Sequence, residues 1–497
     1  MKDNKFLKFL TSKYVVLGIQ LIVSIAVIYF AFELNLVPAK YLAAIIAILL
    51  ILISGFFGII YSGERKEKKG STSKRSIITK IISLLISIVL VIGCTMLTRS
   101  DRFIEKVSNA TGQQYVVSVI ALKNGNVTKK NLDGKKFGVT YEKDSTTLTT
   151  ALADMEEEFG EQEYQKFDNY VELADALYNG EVDCIVAGEE YRSMLQVNHE
   201  AFNDETKVIA SYTYDAKLEV TTKKTDVTEK PFSVYVTGID VYGSLKTVSR
   251  SDVNLIVTVN PKTKQILMTS IPRDCEIELH SNGKLDKLTH TGNYGTSETI
   301  NTIQDLLDMD INYFVRTNFS GMTNIVDALG GITVESDEDF ITLHGNYHIT
   351  EGINEMDGDK ALCFVRERKR LKLGDFARGR NQQKVLKALM DKALSPKIIT
   401  NFDNVLSALE GTFETDMSSD EIRSLLNMQL NDMADWNIIN VQIEGEYYDC
   451  YDTYSMKGIK SDVMKPFESH IERVRKLINK VEEGKEIKEE ELKGLVH

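Results

Sequence analysis

The stretch Ser249–Asp274 reads SRSDVNLIVTVNPKTKQILMTSIPRD, and further along Val365–Gln383 reads VRERKRLKLGDFARGRNQQ. Together with the β-rich run just before them, they place Asp240, Asp252, Arg273 and Asp274 at strand ends and then supply Arg366, Arg368, Asp375, Arg378 and Arg380. Carboxylates hold a hard divalent cation through oxygen. Guanidinium groups clamp phosphoryl oxygens in paired hydrogen bonds and neutralise charge that develops during transfer. The two sets together suit a magnesium-held pyrophosphate.

Each motif also has a plainer reading. Asp240 follows the strand FSVYVTG and Asp252 opens the next, after an Arg250 that can steady it. Two carboxylates at strand ends can share one Mg2+, with water and substrate phosphate completing the shell, whereas a lone Asp at a strand end is a turn residue. In IPRD, Pro272 removes a ladder donor and turns Arg273 and Asp274 into a cleft; in isolation, an Arg–Asp pair at a surface is worth little. RERKR puts four cations in five positions, Arg366 to Arg370. They repel unless an anion sits among them, the alternative being a solvated helix end. Arg378, Arg380 and Gln382 are expected to begin a helix after the GDF turn. A helix amino terminus attracts anions and disfavours cations, a conflict that a negatively charged ligand would resolve. The loop Asp286–Gly295, DKLTHTGNYG, adds Lys287 and a His290 that is either a base or structural. No GxSxG, HExxH or GxxxxGK[ST] is present, so the common serine, zinc and P-loop chemistries are absent.

Placing such residues requires several domains. The chain has 497 residues, 43% of them apolar, but part of that apolar content belongs to a membrane region, residues 1–98. Runs at about 14–32, 41–60 and 77–96 approach the roughly 20 residues that span a bilayer, with Lys80 near one margin, able to reach the interface. Lys2, Lys5, Lys8 and Lys13 precede the first run, and Arg65, Lys66, Lys68, Lys69, Lys74 and Arg75 fill the second loop, against Lys40 alone in the first. Positive loops stay inside, so the amino terminus is expected in the cytoplasm and everything after Met96 outside. The net charge of −13 argues against nucleic acid as a partner. Cys94, Cys184, Cys275, Cys363 and Cys450 are scattered singly and read as buried thiols rather than disulfides.

Residues 113–216 alternate strand and helix as a small α/β accessory domain. Its GKKFGV and ALYNGEVDCIVAG segments resemble one lobe of the extracellular solute-binding fold, but without ligand-specific residues, which suggests an accessory or partner-docking module. Residues 217–231 read as a linker. Residues 232–480 read as an α-β-α domain with a central mixed sheet: strands FSVYVTGID, VNLIVTVNP, QILMTSIP, INYFVRTNF and NIINVQIEG are separated by helical spacing. Residues 481–497 are charge-dense and read as a solvated tail.

The region Phe232–Leu389 resembles the catalytic domain of the LytR–CpsA–Psr family. It carries, in order, Gly238–Asp240, Arg250–Asp252, Asn260–Thr263, Ser270–Asp274, Asp286–Leu288, Val326–Gly331, Ala361–Arg368 and Gly374–Gln382. Three spans and an accessory domain further resemble the family's CpsA-like branch of Gram-positive bacteria. The resemblance implies a magnesium-dependent phosphotransferase moving an anionic glycopolymer, such as capsule or teichoic acid, from a polyprenyl pyrophosphate carrier to peptidoglycan. Asp240 and Asp252 would bind Mg2+, and Arg273, Arg366, Arg368, Arg378 and Gln382 would hold the pyrophosphate. Arg250, Lys287 and Arg380 complete the expected anion-binding set, with Arg380 substituting where many members have Arg-Gln and this chain has Asn381–Gln382. Asp274 and Asp375 are both candidates for accepting the proton of the attacking hydroxyl. Envelope-synthesis proteins are further expected partners. A lipid pyrophosphate hydrolase with the same site and a membrane-bound regulator of capsule or envelope synthesis are the alternatives.

Overall fold

Apolar runs that must satisfy every backbone group internally form helices, and three do so here. In the computed structural model, which describes residues 12–67, 74–140, 146–218, 222–239, 244–393 and 402–495, they are α1 (Lys13–Glu33), α2 (Ala39–Glu67) and α3 (Lys74–Val107). Each is long and apolar enough to cross a membrane. The Ser83 hydroxyl donates to Gln20 at 2.6 Å between α3 and α1, the kind of polar contact that joins helices in an apolar medium. Near the ends of these helices Lys80 meets Glu64 at 3.3 Å, and Lys13 meets the same carboxylate at 3.0 Å.

α3 continues well past the boundary at residue 98. Ile104 and Val107 are buried, Arg423 donates to Asp101 at 3.1 Å, and the N–H groups of Asn109 and Ala110 donate to the carbonyls of Met417 and Thr415. The third membrane helix therefore enters the rest of the protein without a free joint.

The next unit is a sheet of β1 (Gly112–Leu122), β2 (Lys136–Thr140), β3 (Glu163–Phe167), β4 (Cys184–Gly188) and β5 (Thr206–Lys217), in the order β3-β2-β4-β1-β5. Helices α4 (Thr146–Phe159) and α5 (Tyr170–Asn179) cover it. Val117, Val119 and Ala121 face one core and Ile120 the other, as period two requires. The segment read as a linker lies on the following domain: Val227 is buried, Lys223 pairs with Asp310 at 2.8 Å, and Tyr313 bonds both backbone groups of Thr225.

The last domain is built on β6 (Phe232–Ile239), β7 (Ser251–Asn260) and β8 (Gln265–Ser270). A short pair follows, β9 (Glu276–Glu278) with β10 (Leu285–Lys287), then α6 (Thr296–Leu307), β11 (Tyr313–Asn318) and α7 (Phe319–Ala328). Two small ladders, β12 (Ile332–Ser336) with β15 (Gly352–Met356) and β13 (Phe340–Ile341) with β14 (His348–Ile349), precede α8 (Gly358–Arg366) and α9 (Asp375–Ala393). The chain closes with α10 (Phe402–Leu409), β16 (Phe413–Thr415), α11 (Ser419–Asp432), β17 (Asn437–Gln442), the pair β18 (Gly445–Cys450) and β19 (Ser461–Pro466), and α12 (Glu468–Glu482). The main sheet runs β16-β11-β6-β7-β8-β17, with β11/β6 and β8/β17 parallel and the other neighbours antiparallel.

Neighbouring residues on its strands divide between two cores. Tyr235, Ile256, Leu267 and Phe314 pack toward α6 and α12, whereas Val234, Val257, Ile266 and Tyr313 pack toward α9 and α11. Each large apolar side chain so buried contributes about 1.5–3 kcal/mol. The expected solvated tail is not found: Val481, Ile487 and Leu495 are buried in the first of these cores, because a few apolar residues among the charges still complete it. Of the cysteines, only Cys184 and Cys275 are buried, and all five are free thiols.

Candidate active site

The Ile-Pro-Arg-Asp sequence ends β8 and turns back on itself. The N–H of Cys275 donates to the Pro272 carbonyl at 3.0 Å, and the carbonyls of Arg273 and Cys275 receive the N–H groups of Thr289 (2.9 Å) and Leu288 (2.8 Å). The loop that follows β10 thus holds the turn by its backbone. α9 is fixed against the same end of the sheet by the buried Gln383 amide, which donates to the carbonyls of Met268 on β8 and Val441 on β17.

These elements bring one set of charges together. Asp252 accepts from Arg273 at 2.6 Å and from the Thr289 hydroxyl at 3.1 Å, with Arg250 3.9 Å from its other oxygen. Burial would push its pKa up, but Arg273, Arg250 and Arg378 outweigh that and hold it at about 2. Asp274 is only 2% exposed and takes Lys287 at 2.7 Å, Arg368 at 3.4 Å and Arg273 at 3.9 Å. Burial opposes its ionisation too, and the same cations keep its pKa below the ordinary value. Asp375 pairs with Arg378 one turn along α9. Burial, joined by the neighbouring charge of Asp274, moves its pKa upward despite Arg378, while burial draws that of Arg378 down. Five cations therefore face three carboxylates, brought together from residues 250–252, 273–274, 287 and 368–378.

The cation run Arg366–Arg370 is organised by the one acid inside it. Glu367, which is buried, accepts the N–H groups of Arg368 at 2.9 Å and Arg370 at 3.1 Å with one oxygen, and that of Leu343 at 2.6 Å with the other. α8 ends at Arg366, whose side chain is exposed, and Glu367 is extended, so Arg368 turns inward to Asp274. α9 begins at Asp375 rather than at the expected Arg378; the carboxylate in its first turn, not a ligand alone, offsets the cations there. Arg380 pairs with Glu444 at 3.3 Å, and Gln382 donates to the Val365 carbonyl at 3.4 Å. His290 is buried against Asp286 at 2.7 Å, and Asp286 also accepts the N–H of Ser455 at 3.0 Å, so this pair ties the loop to the segment after β18. Asp240 lies outside the described residues.

Two residues were not singled out in the sequence. Glu367 was hidden by the cations around it. Tyr447, on β18, packs edge-on to Phe376 with centroids 5.6 Å apart; partial desolvation, then the charges of Asp375 and Asp274, push its pKa up. Nothing in GEYYDC marks it beyond an ordinary strand.

The donors fit magnesium only in part by themselves. Asp252 is ionised at neutral pH and offers carboxylate oxygen, the ligand type Mg2+ requires. Among the described residues no group of three or more acidic, His or Cys side chains is arranged to hold a metal; a Mg2+ ion would have to take the rest of its shell from water and phosphate.

A profile of the LytR_cpsA_psr family matches residues 194–468, more than half of the chain. The polyisoprenyl-teichoic acid–peptidoglycan teichoic acid transferase TagU of Bacillus cereus (strain AH820) is 32% identical over 250 residues, 49% of this chain and 80% of TagU. The protein of the same name from Bacillus licheniformis is 35% identical over 193 residues, 39% of this chain and 62% of its own length. Crystal structures of B. subtilis TagV and TagT align with TM-scores of 0.44 and 0.42 at 28% and 27% identity, covering 51% and 52% of this chain and 98% and 94% of theirs. The matched region contains Asp252, Arg273, Asp274, Lys287, Arg368, Asp375 and Arg378, the residues that converge in space, and the chain belongs to the LytR–CpsA–Psr family.

Proposed function

We propose that the protein moves an anionic glycopolymer from a polyprenyl pyrophosphate carrier onto peptidoglycan, with Mg2+ as cofactor, at the outer face of the cell membrane. The observation that carries this reading is the excess of cation at one buried turn: Arg250, Arg273, Lys287, Arg368 and Arg378 around Asp252, Asp274 and Asp375. A pyrophosphate diester supplies the missing negative charge. The relatives named as transferases between a polyisoprenyl carrier and peptidoglycan support the same pair of substrates. The charge of the short loops, with Lys and Arg before α1 and between α2 and α3, supports a cytoplasmic amino terminus and an extracellular site.

Asp252, with Asp240, would hold the magnesium, which when bound would supply charge to screen the phosphates. Arg273, Lys287, Arg368 and Arg378 trade part of their pairing with carboxylates for phosphoryl oxygens and steady the charge that builds on them. A sugar hydroxyl of peptidoglycan attacks the phosphorus joined to the glycan. The bond from that phosphorus to the bridging oxygen breaks, polyprenyl phosphate departs with the electron pair, and the hydroxyl proton passes to Asp375. Asp375 suits that role better than Asp274: its pKa is raised, whereas Asp274 is held ionised by cations that occupy its oxygens. The isoprenoid needs apolar surface beside these cations; Ile341, Leu343 and Leu373 are exposed, and the N–H of Leu343 donates to Glu367.

The test uses full-length protein in bilayers with lipid-linked polymer and peptidoglycan. Magnesium should stimulate transfer by the parental protein, and Asp252→Ala should lose both transfer and stimulation. A variant still stimulated equally would contradict the ligand role.

A further inference from the structure

The strand that opens the accessory unit also grips the catalytic centre. β1 follows α3 after Ser108–Thr111 and pairs with β5 along its length, Gln114 opposite Asp215. Neither backbone group of Gln114 serves that ladder. Its N–H donates to the Lys246 carbonyl at 2.6 Å, and its carbonyl accepts the N–H of Val248 at 2.8 Å, so Thr247 bridges to Gln114 in parallel. This segment leads directly into Arg250 and Asp252.

A second grip is on the loop after β10. A Cβ on Gly292 would stand 2.5 Å from the Ser249 carbonyl oxygen and 2.6 Å from the Ser251 nitrogen, so glycine alone lets the turn seat on that segment. The Gln113 amide lies over Gly295, 2.9 Å from where a Cβ would be. The loop so seated carries Thr289 to Asp252 at 3.1 Å and Lys287 to Asp274 at 2.7 Å. A third contact, Arg316 of β11 donating to the Gly112 carbonyl at 2.9 Å, fixes the start of β1 to the main sheet.

We propose that β1 is a positioning element of the transferase centre: Gln113 and Gln114 hold Lys246–Val248 and the Gly292–Gly295 turn so that Asp252, Thr289 and Lys287 keep their places. The inference rests on the transfer reading above, and it gives the accessory unit a role within its own chain. Catalysis is sensitive to such placement, since a shift of about 1 Å can cost about a hundredfold in rate.

Gln114→Pro removes the N–H to Lys246 and spares the β5 ladder. Gln114→Ala removes only the side-chain bonds to Asp215 and Ser244. In full-length protein in bilayers, Gln114→Pro should lower kcat about tenfold with KM for the carrier within about twofold, while Gln114→Ala stays at the parental values. Parental kcat in Gln114→Pro would overturn the inference. If that variant unfolds, Gln113→Ala decides, because it strips the amide from Gly295 and leaves every backbone bond: a kcat lowered about threefold supports the inference and parental kcat overturns it. Amide hydrogen exchange separates this inference from the transfer reading. Faster exchange over 246–252 and 286–295 in Gln114→Pro is expected whatever the substrate, and unchanged exchange refutes the positioning role. A parental protein that exchanges as expected but transfers no polymer would refute the proposed function alone.

Discussion

Replacing Arg273 with alanine is expected to lower the rate of polymer transfer by about a thousandfold, the loss typical of removing a group aimed at developing transition-state charge. Arg273 stands where the two halves of the site meet, 2.6 Å from Asp252 and 3.9 Å from Asp274. Its removal takes a cation from the phosphoryl oxygens and a partner from a carboxylate whose side chain is 11% exposed. The stability cost should lie near the lower end of the roughly 3–5 kcal/mol seen when a buried pair loses one member, because Thr289 and Arg250 remain at Asp252. Arg273→Lys should recover little of the rate: an ammonium keeps the charge but not the planar fork. Single-turnover transfer and thermal unfolding measure the two effects separately. A folded Arg273→Ala protein working at the parental rate would remove the residue from the mechanism.

Asp274→Ala should have the largest effect on stability. Lys287, Arg368 and Arg273 converge on a carboxylate that is 2% exposed, and without it they repel one another in a poorly solvated turn. The expected loss is about 3–5 kcal/mol, which lowers the unfolding midpoint by roughly 10 °C. The pH dependence follows from the direction of the shifts. Asp274 and Asp252 have folded pKa values below the ordinary aspartate value. Their stabilisation is therefore complete above about pH 4 and is lost as pH falls through the folded values. For Asp252, with a folded value of about 2, this amounts to about 2 kcal/mol lost between about pH 4 and pH 2. Asp375, with its pKa raised, acts in the opposite sense and costs stability once the pH exceeds the ordinary aspartate value. The parental protein should lose stability steeply below pH 4, and Asp274→Ala less steeply from a lower plateau. Equal midpoints for the two proteins at neutral pH would show that Asp274 does not anchor these cations.

What could be read in advance depended on how local the determinant was. The alternation that sends Val234 and Tyr235, or Ile256 and Val257, to opposite cores is written in adjacent letters, so the central strands were legible. So was the turn at Pro272, because a missing N–H ends a ladder wherever it occurs. The start of α9 was not, since Asp375 caps the charge pattern from a position that looked like part of the turn. Glu367 bonds the adjacent Arg368 and Arg370 but also the distant Leu343, and Tyr447 packs on the distant Phe376, while ladders as short as β12/β15 and β18/β19 are marginal without a surrounding domain. The tail shows the same limit in reverse: its composition is that of a solvated segment, yet Ile487 and Leu495 find a core already waiting. Of the anion-binding candidates, Arg250, Arg273, Lys287, Arg368 and Arg378 meet at the turn, while Arg380 and Gln382 bond to Glu444 and the Val365 carbonyl. Sequence spacing identified the cation-rich segments but not which of their side chains face inward.

The central claim is that this cage of charge breaks a lipid pyrophosphate and hands the polymer to a wall sugar. Purified full-length protein, placed in bilayers with a polyprenyl-pyrophosphate-linked glycan, peptidoglycan and magnesium, can be assayed by mass spectrometry of the digested wall. A glycan joined to a peptidoglycan sugar through a phosphodiester, with polyprenyl monophosphate released in equal amount, is the predicted result. Free polymer ending in phosphate, with no adduct on the wall sugar, would contradict it and mark the protein as a hydrolase.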